Sequence, residues 1–133
     1  MIKKICMVMS FMVVAMALAM PTSFAANWKW VYSTDHYGYY FDTDTASKTE
    51  YGTAYVWLKA RKIDGAIFIM HEKIWNKGWA HSLGLVQTYD ANGHFKGRAD
   101  KKFQEVREVV PGTSAEKIFP AVWRWTMDNG KNM

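Results

Sequence analysis

Few residues in this chain have both the type and the spacing that chemistry demands. Asp42-x-Asp44 opens like a calcium loop, in which oxygen ligands fall at alternate positions. Continued, that loop would place Ala46 at its fifth position, Ser47 where a glycine is required, and Thr53 where a bidentate glutamate is required. The EF-hand reading fails, and the two acids are expected to cap a turn. His36, His71, His81 and His94 have none of the H-x-H or H-x-x-x-H spacing of a zinc or haem set. Surface or edge positions are expected for all four. Nucleophilic catalysis finds no support. The single cysteine, Cys6, stands in a leader, no G-x-S-x-G is present, and no carboxylate pair has a distinctive spacing. These residues point to a non-enzymatic domain with no cofactor.

Two kinds of side chain remain with which to bind something. Lys96, Arg98, Lys101 and Lys102 form the densest basic cluster, and Lys59, Arg61 and Lys62 a second. Charges on strands guard sheet edges against unwanted pairing. As a binding surface they would attract an acidic glycan or an acidic partner, with affinity that falls as salt rises. The aromatic side chains crowd into Asn27–Asp44, which holds Trp28, Trp30, Tyr32, Tyr37, Tyr39, Tyr40 and Phe41. Trp28, Trp30 and Tyr32 alternate, and together represent roughly 600 Å² of surface. A monomer rarely leaves that much apolar area in water. They are expected in the core or in a homodimer seam, although an aromatic platform for sugars or a planar ligand is the sharper alternative. Ligand-facing aromatics are then expected at Tyr37 and Tyr39, beside the polar loop. The candidate partner-binding residues are therefore Tyr37, Tyr39, Lys96, Arg98, Lys101 and Lys102.

The elements that must position these residues begin after a leader. Lys3 and Lys4 precede an apolar run from Ile5 to about Ala19, and Ser23-Phe24-Ala25 supplies a small-x-small cleavage pattern. The run breaks at Pro21, short of the roughly 20 apolar residues of a membrane span. Residues 1–25 read as a cleaved signal peptide and 26–133 as one domain without membrane insertion. The expected location is extracytoplasmic: periplasm, cell surface or secreted. The mature part has no cysteine, so it must fold on its apolar core alone. Removing Lys3 and Lys4 leaves 15 basic against 12 acidic residues, a net charge of +3 in place of +5. That mild excess is not a nucleic-acid signature.

Along the chain, Asn27–Ser33 and Tyr37–Asp42 read as strands, the second broken by Gly38, followed by a polar turn over residues 42–47. Thr53–Lys62 and Ala66–Trp75 read as a hairpin closed by Asp64-Gly65. A two-residue turn would pair Arg61 with Phe68, Lys59 with Met70 and Trp57 with Glu72. Ala54, Val56, Leu58, Ala60, Ile67 and Ile69 would then form the core face. Trp79–Tyr89, His94–Ala99 and Phe103–Val110 complete the strands. Thr113-x-x-Glu116 has the spacing of a capping box, in which Thr113 accepts from the Glu116 amide and Glu116 reaches back. Ala115, Ile118, Phe119, Val122 and Trp125 then mark the buried face of a helix, with Pro120 on the polar side and a frayed tail over residues 129–133. The expected architecture is α+β, an antiparallel sheet of about six strands with one flanking C-terminal helix.

The order of several short motifs resembles a known family. These are a W-x-x-V-x-S opening strand, Tyr39-Tyr40-Phe41-Asp42 before a polar turn, Val56-Trp57-Leu58-Lys59, Tyr89-Asp90-x-x-Gly93, and Val110-Pro111-Gly112-Thr113-Ser114-x-Glu116 opening the last helix. Over essentially the whole mature chain they look like the surface-adhesin protein E family of small exported bacterial domains. The resemblance implies a compact antiparallel sheet with a C-terminal helix and, in its best-known member, adhesion to host matrix glycoproteins. Members with that activity carry a cysteine pair in the C-terminal region, where this chain has Val122-Trp123. The expected partner is an extracellular glycoprotein or acidic glycan. The alternatives are a periplasmic module for a small planar or haem-like ligand and a structural envelope protein.

Overall fold

The computed structural model describes residues 27–133, so the expected leader with Cys6 lies outside the described residues. Six strands form the main sheet, in the order β1 (Trp28–Ser33), β2 (Tyr37–Asp42), β4 (Ala54–Lys62), β5 (Ile67–Trp75), β6 (Ala80–Tyr89) and β7 (Phe95–Asp100). Every pairing along this path is antiparallel. Short strands lengthen it at one end: β3 (Ser47–Lys48) on β4, and β8 (Val106–Glu108) on β6. One helix, α1 (Ser114–Asn129), packs on one sheet face. The α+β architecture is thus as expected.

The central hairpin departs from the expected register. Its loop has three residues, Ile63-Asp64-Gly65, because Lys62 N–H donates to the Ala66 carbonyl (2.8 Å) and Gly65 N–H donates to the Lys62 carbonyl (2.9 Å). Gly65 takes the left-handed conformation that ends such a loop (φ +99°). The extra residue slides the pairing by one position, to Trp57 opposite His71, Lys59 opposite Ile69 and Arg61 opposite Ile67. Because strand side chains alternate, this sends every β5 residue to the other face relative to β4. Glu72 and Ile74 now share the helix side with Val56 and Ala54, while Ile67 and Ile69 share the opposite side with Arg61 and Lys59.

The core lies where α1 meets the lower half of the sheet. Phe41, Ala54, Val56, Leu58 and Ile74 meet Ile118, Phe119 and Val122, all buried. Burying a side chain of this size stabilises by roughly 1.5–3 kcal/mol. Trp125 adds an edge contact to Phe41 at 5.1 Å between ring centres, and Trp123 Nε1 donates to the Gly52 carbonyl (2.8 Å).

The helix begins differently from a full capping box. Thr113 Oγ1 donates to the Val110 carbonyl (2.6 Å), and the Glu116 carboxylate accepts from Gly112 N–H (2.7 Å). Half of the reciprocal pair is present, shifted by one residue. Pro120, expected toward solvent, packs on the turn that joins β5 to β6: a Cβ on Gly78 would lie 2.3 Å from Pro120 Cα. Nor does the tail fray. Lys131–Asn132 forms β9, paired in parallel with β3, and the last amide donates from Met133 to the Lys48 carbonyl (2.9 Å). The expected closing strand over residues 103–110 is reduced to β8, because Lys102 and Phe103 both take positive φ (55° and 57°) in a tight turn.

Candidate functional site

The helix covers one face, and the other carries most of the side chains able to bind. Residues directly opposite in an antiparallel ladder point to the same side, so the registers define rows across the sheet. One row runs Trp30, Tyr40, Lys59, Ile69, Gln87 and Arg98 over all six main strands. A second runs Ser33, Gly38, Arg61, Ile67, Tyr89 and Phe95. Aromatic rings stand at both edges and cations stand between them. Trp30 is 58% exposed and Phe95 56% exposed, and Arg61 and Arg98 are exposed as well.

Trp30 was expected to be buried, and a β-bulge explains why it is not. The β1–β2 register slips between Trp30 and Tyr32, which breaks the alternation that sequence reading relies on. Val31 and Tyr32 both pack against the core, while Trp30 stays on the helix-free side. Its indole Nε1 donates to Ser33 Oγ (2.8 Å), which holds the ring in place. Trp28 is half-buried, and the Lys59 ammonium sits 4.9 Å from the Trp28 ring centre and 4.8 Å from the Tyr40 ring centre. This geometry attracts a cation to the ring faces. Burial, and to a lesser degree the neighbouring Arg61 charge, lowers the Lys59 pKa from its ordinary value.

Below the rows, Trp57, His71, Tyr55 and Phe103 form an aromatic box on the same side. His71 stacks on Trp57 at 4.5 Å with the rings nearly parallel, and Phe103 meets His71 edge-on at 5.4 Å. Phe103 can turn the tip of its ring onto the sheet because residue 84 is glycine, where a Cβ would come within 2.5 Å of its Cζ. Burial lowers the His71 pKa. The box is filled by the protein's own rings. His81, also expected near the surface, is buried on the helix side, with Nδ1 3.1 Å from the Glu72 carboxylate and its ring stacked on Phe119. Burial raises the Glu72 pKa, and the hydrogen bond to His81 opposes that rise. Sequence spacing gave no signal for either histidine. The signal for His81 lay in the bulged β5–β6 register.

The residues singled out from sequence do not converge. Tyr37 and Tyr39 stack on each other at 5.9 Å, but they lie on the helix side of β2, and Tyr39 packs against the core. Burial and then the Tyr37 neighbour raise the Tyr39 pKa. Lys96, Arg98, Lys101 and Lys102 belong to β7 and the turn after it, with β4, β5 and β6 between them and β2. Lys96 pairs with Asp90 at 3.4 Å, and Lys101 and Lys102 are exposed in the turn. Of these six, Arg98 joins the long row. Lys59 and Arg61, the second basic cluster of the sequence, Trp30, its alternative aromatic platform, and Tyr40 share this face, and the register, not their spacing, brings them together.

Among the described residues no group of three or more His, Cys, Asp or Glu is placed to hold a metal ion. Asp42 is fully buried, and its carboxylate caps the β2–β3 turn by accepting from Asp44 N–H and Thr45 Oγ1. Among the described residues no helix is long and apolar enough to cross a membrane. No protein-family model, characterised protein or solved structure matches this chain.

Proposed function

We propose that this protein is an exported, non-enzymatic binding domain of the kind its sequence resembles, the surface-adhesin protein E family. It acts outside the cytoplasm, and its helix-free sheet face contacts acidic glycan chains of extracellular glycoproteins. One observation carries this reading: the row Trp30–Tyr40–Lys59–Ile69–Gln87–Arg98, which sets an exposed ring, Trp30, and an exposed guanidinium, Arg98, on one side of the sheet with half-buried Tyr40 and Lys59 between them. Aromatic faces stack on the apolar sides of sugar rings, and guanidinium groups fork onto carboxylate or sulfate. The cations on this face also match the charge of such a ligand. A planar-ligand module would need an open slot among the rings, whereas the aromatic box is closed by Phe103.

The test is surface binding of the mature domain to heparin, hyaluronan and matrix glycoproteins, with a neutral glucan as comparison. The acidic glycans should be preferred, with affinity falling as salt rises, since charges are screened beyond about 8 Å at physiological ionic strength. Trp30→Ala combined with Arg98→Glu should weaken binding by about tenfold or more. Wild-type protein that does not distinguish acidic from neutral glycans would sink the proposal. So would a double variant that binds as tightly as wild type.

A further inference from the structure

Residue 38 belongs to the second row, between Ser33 and Arg61, and is the only position in that row without a side chain. A shallow pocket of about 210 Å³ lies beside it, between the β1–β2 turn and the top of the β4–β5 hairpin, lined by Ser33, Thr34, Asp35, His36, Arg61 and Ile63, with Tyr37 at its side. Gly38 itself lines the pocket, and the Tyr40 ring takes up the space beside it: a Cβ on residue 38 would lie 3.3 Å from Tyr40 Cε2 and 3.4 Å from its hydroxyl. The volume is below the roughly 300–1,000 Å³ of sites for drug-sized ligands. It suits one ring of a longer chain.

The polar groups at the rim differ in what they leave available. Among the described residues Arg61 has no ion-pair partner, although Asp35 lines the same pocket. Its neighbour Lys59 is already occupied between two rings. Ser33 Oγ accepts from Trp30 Nε1, so its own hydrogen is free to point outward. Thr34 Oγ1 is engaged by the amides of His36 and Tyr37. The pocket therefore offers one forked cation, a hydroxyl donor and one carboxylate acceptor around the bare Gly38 backbone.

Resting on the glycan-binding reading above, we propose that this pocket is the anchoring subsite for a single anionic pyranose. Arg61 takes the carboxylate or sulfate, Ser33 donates to a ligand oxygen, and Asp35 accepts from ring hydroxyls. The ring lies over the Gly38 backbone, between the β1–β2 turn and Ile63. The Asp35 carboxylate disfavours a densely charged polyphosphate, and it suits a ring with one anionic group and several hydroxyls.

The experiment is calorimetric titration of the mature domain with three tetrasaccharides: hyaluronan (carboxylate only), heparin (sulfate and carboxylate) and maltotetraose (neutral). The variants are Arg61→Ala, Arg61→Lys and Gly38→Val, with Lys117→Ala on the exposed side of the helix as a charge control. Near-UV circular dichroism confirms folding of each. Wild type should bind at least one acidic tetrasaccharide in preference to maltotetraose, and the hyaluronan arm separates carboxylate from sulfate recognition. Arg61→Ala should lose about tenfold or more, the loss expected when a charge-assisted hydrogen bond goes. Gly38→Val should lose a similar amount by crowding the pocket wall, Arg61→Lys should lose less than Arg61→Ala, and Lys117→Ala should match wild type. If wild type binds acidic tetrasaccharides and both Arg61→Ala and Gly38→Val keep full affinity, the subsite is overturned while the broader reading stands. Wild type with no preference for either acidic tetrasaccharide overturns both.

Discussion

Gly78 is the position where the structure makes its most quantitative demand. It is buried, has φ +92°, and sits under the helix so closely that a Cβ would be 2.3 Å from Pro120 Cα, 2.6 Å from Pro120 N and 2.7 Å from the Phe119 carbonyl oxygen. Carbon atoms in contact prefer about 3.5–4.0 Å, so Gly78→Ala leaves the helix backbone more than about 1 Å too close. All three atoms are backbone, and none can swing aside. Overpacking of this kind costs about 1–3 kcal/mol, and the left-handed conformation costs an alanine about 1–2 kcal/mol more. The sum, about 2–5 kcal/mol, is a large part of the 5–15 kcal/mol that holds an ordinary domain folded. Gly93 separates the two terms. It has φ +83° with nothing within 4 Å of the added Cβ, so Gly93→Ala should cost only the conformational part. Urea titrations of both variants give the comparison. If Gly78→Ala falls within about 0.5 kcal/mol of Gly93→Ala, the close packing of Pro120 on Gly78 is wrong.

Three further outcomes follow from the same packing. Burial raises the Glu72 pKa, so the folded state holds this proton more tightly than the unfolded chain does. That contribution is complete at acid pH and fades as pH rises through the elevated value. Urea midpoints of wild type should therefore decline relative to Glu72→Gln as pH rises above the ordinary glutamate range, and parallel curves would refute the buried carboxyl. Phe41→Ala should destabilise by about 3–5 kcal/mol because Phe41 is buried against Trp125, while Trp30→Ala should cost less than about 1 kcal/mol. Equal losses would put Trp30 back in the core. Phe103→Ala should open the aromatic box, and an NMR titration should show the His71 pKa rising toward its ordinary value. An unmoved His71 would mean that Phe103 does not shield it.

Elements were legible in the sequence where local chemistry decides them. Asp64-Gly65, Asp90-Ala91-Asn92-Gly93 and the apolar periodicity of residues 115–126 announced two hairpins and a helix, and all three are present. What stayed hidden depends on single-residue slips. Nothing local says whether the Asp64-Gly65 loop holds two residues or three, yet that choice decides whether Ile69 faces the helix with Val56 or is buried on the helix-free side beside Lys59. Nothing local marks the bulge after Trp30 either, and it puts Trp30 and Tyr32, expected together, on opposite sides of the sheet. The candidate face was unreadable for the same reason. Its members come from six strands and share a side only through registers accumulated across five pairings. Pro120 looked solvent-facing on a helical wheel because the wheel does not know that the β5–β6 turn closes beneath it.

The β2–β3 turn gathers both ends of the described chain. Asn27 reaches it through Asp44, whose carboxylate accepts from Asn27 Nδ2 (3.0 Å), and Lys131 reaches it through the Ala46 carbonyl (2.9 Å). The Gly38 pocket lies at the far end of the same strands, about 20 Å away at the usual rise per residue of a six-residue strand. The domain is therefore polar in the geometric sense, with both ends of the described residues at one pole and the pocket at the other. A tether at the base would thus present the tip outward, and a tag or fusion at either end would leave the tip open.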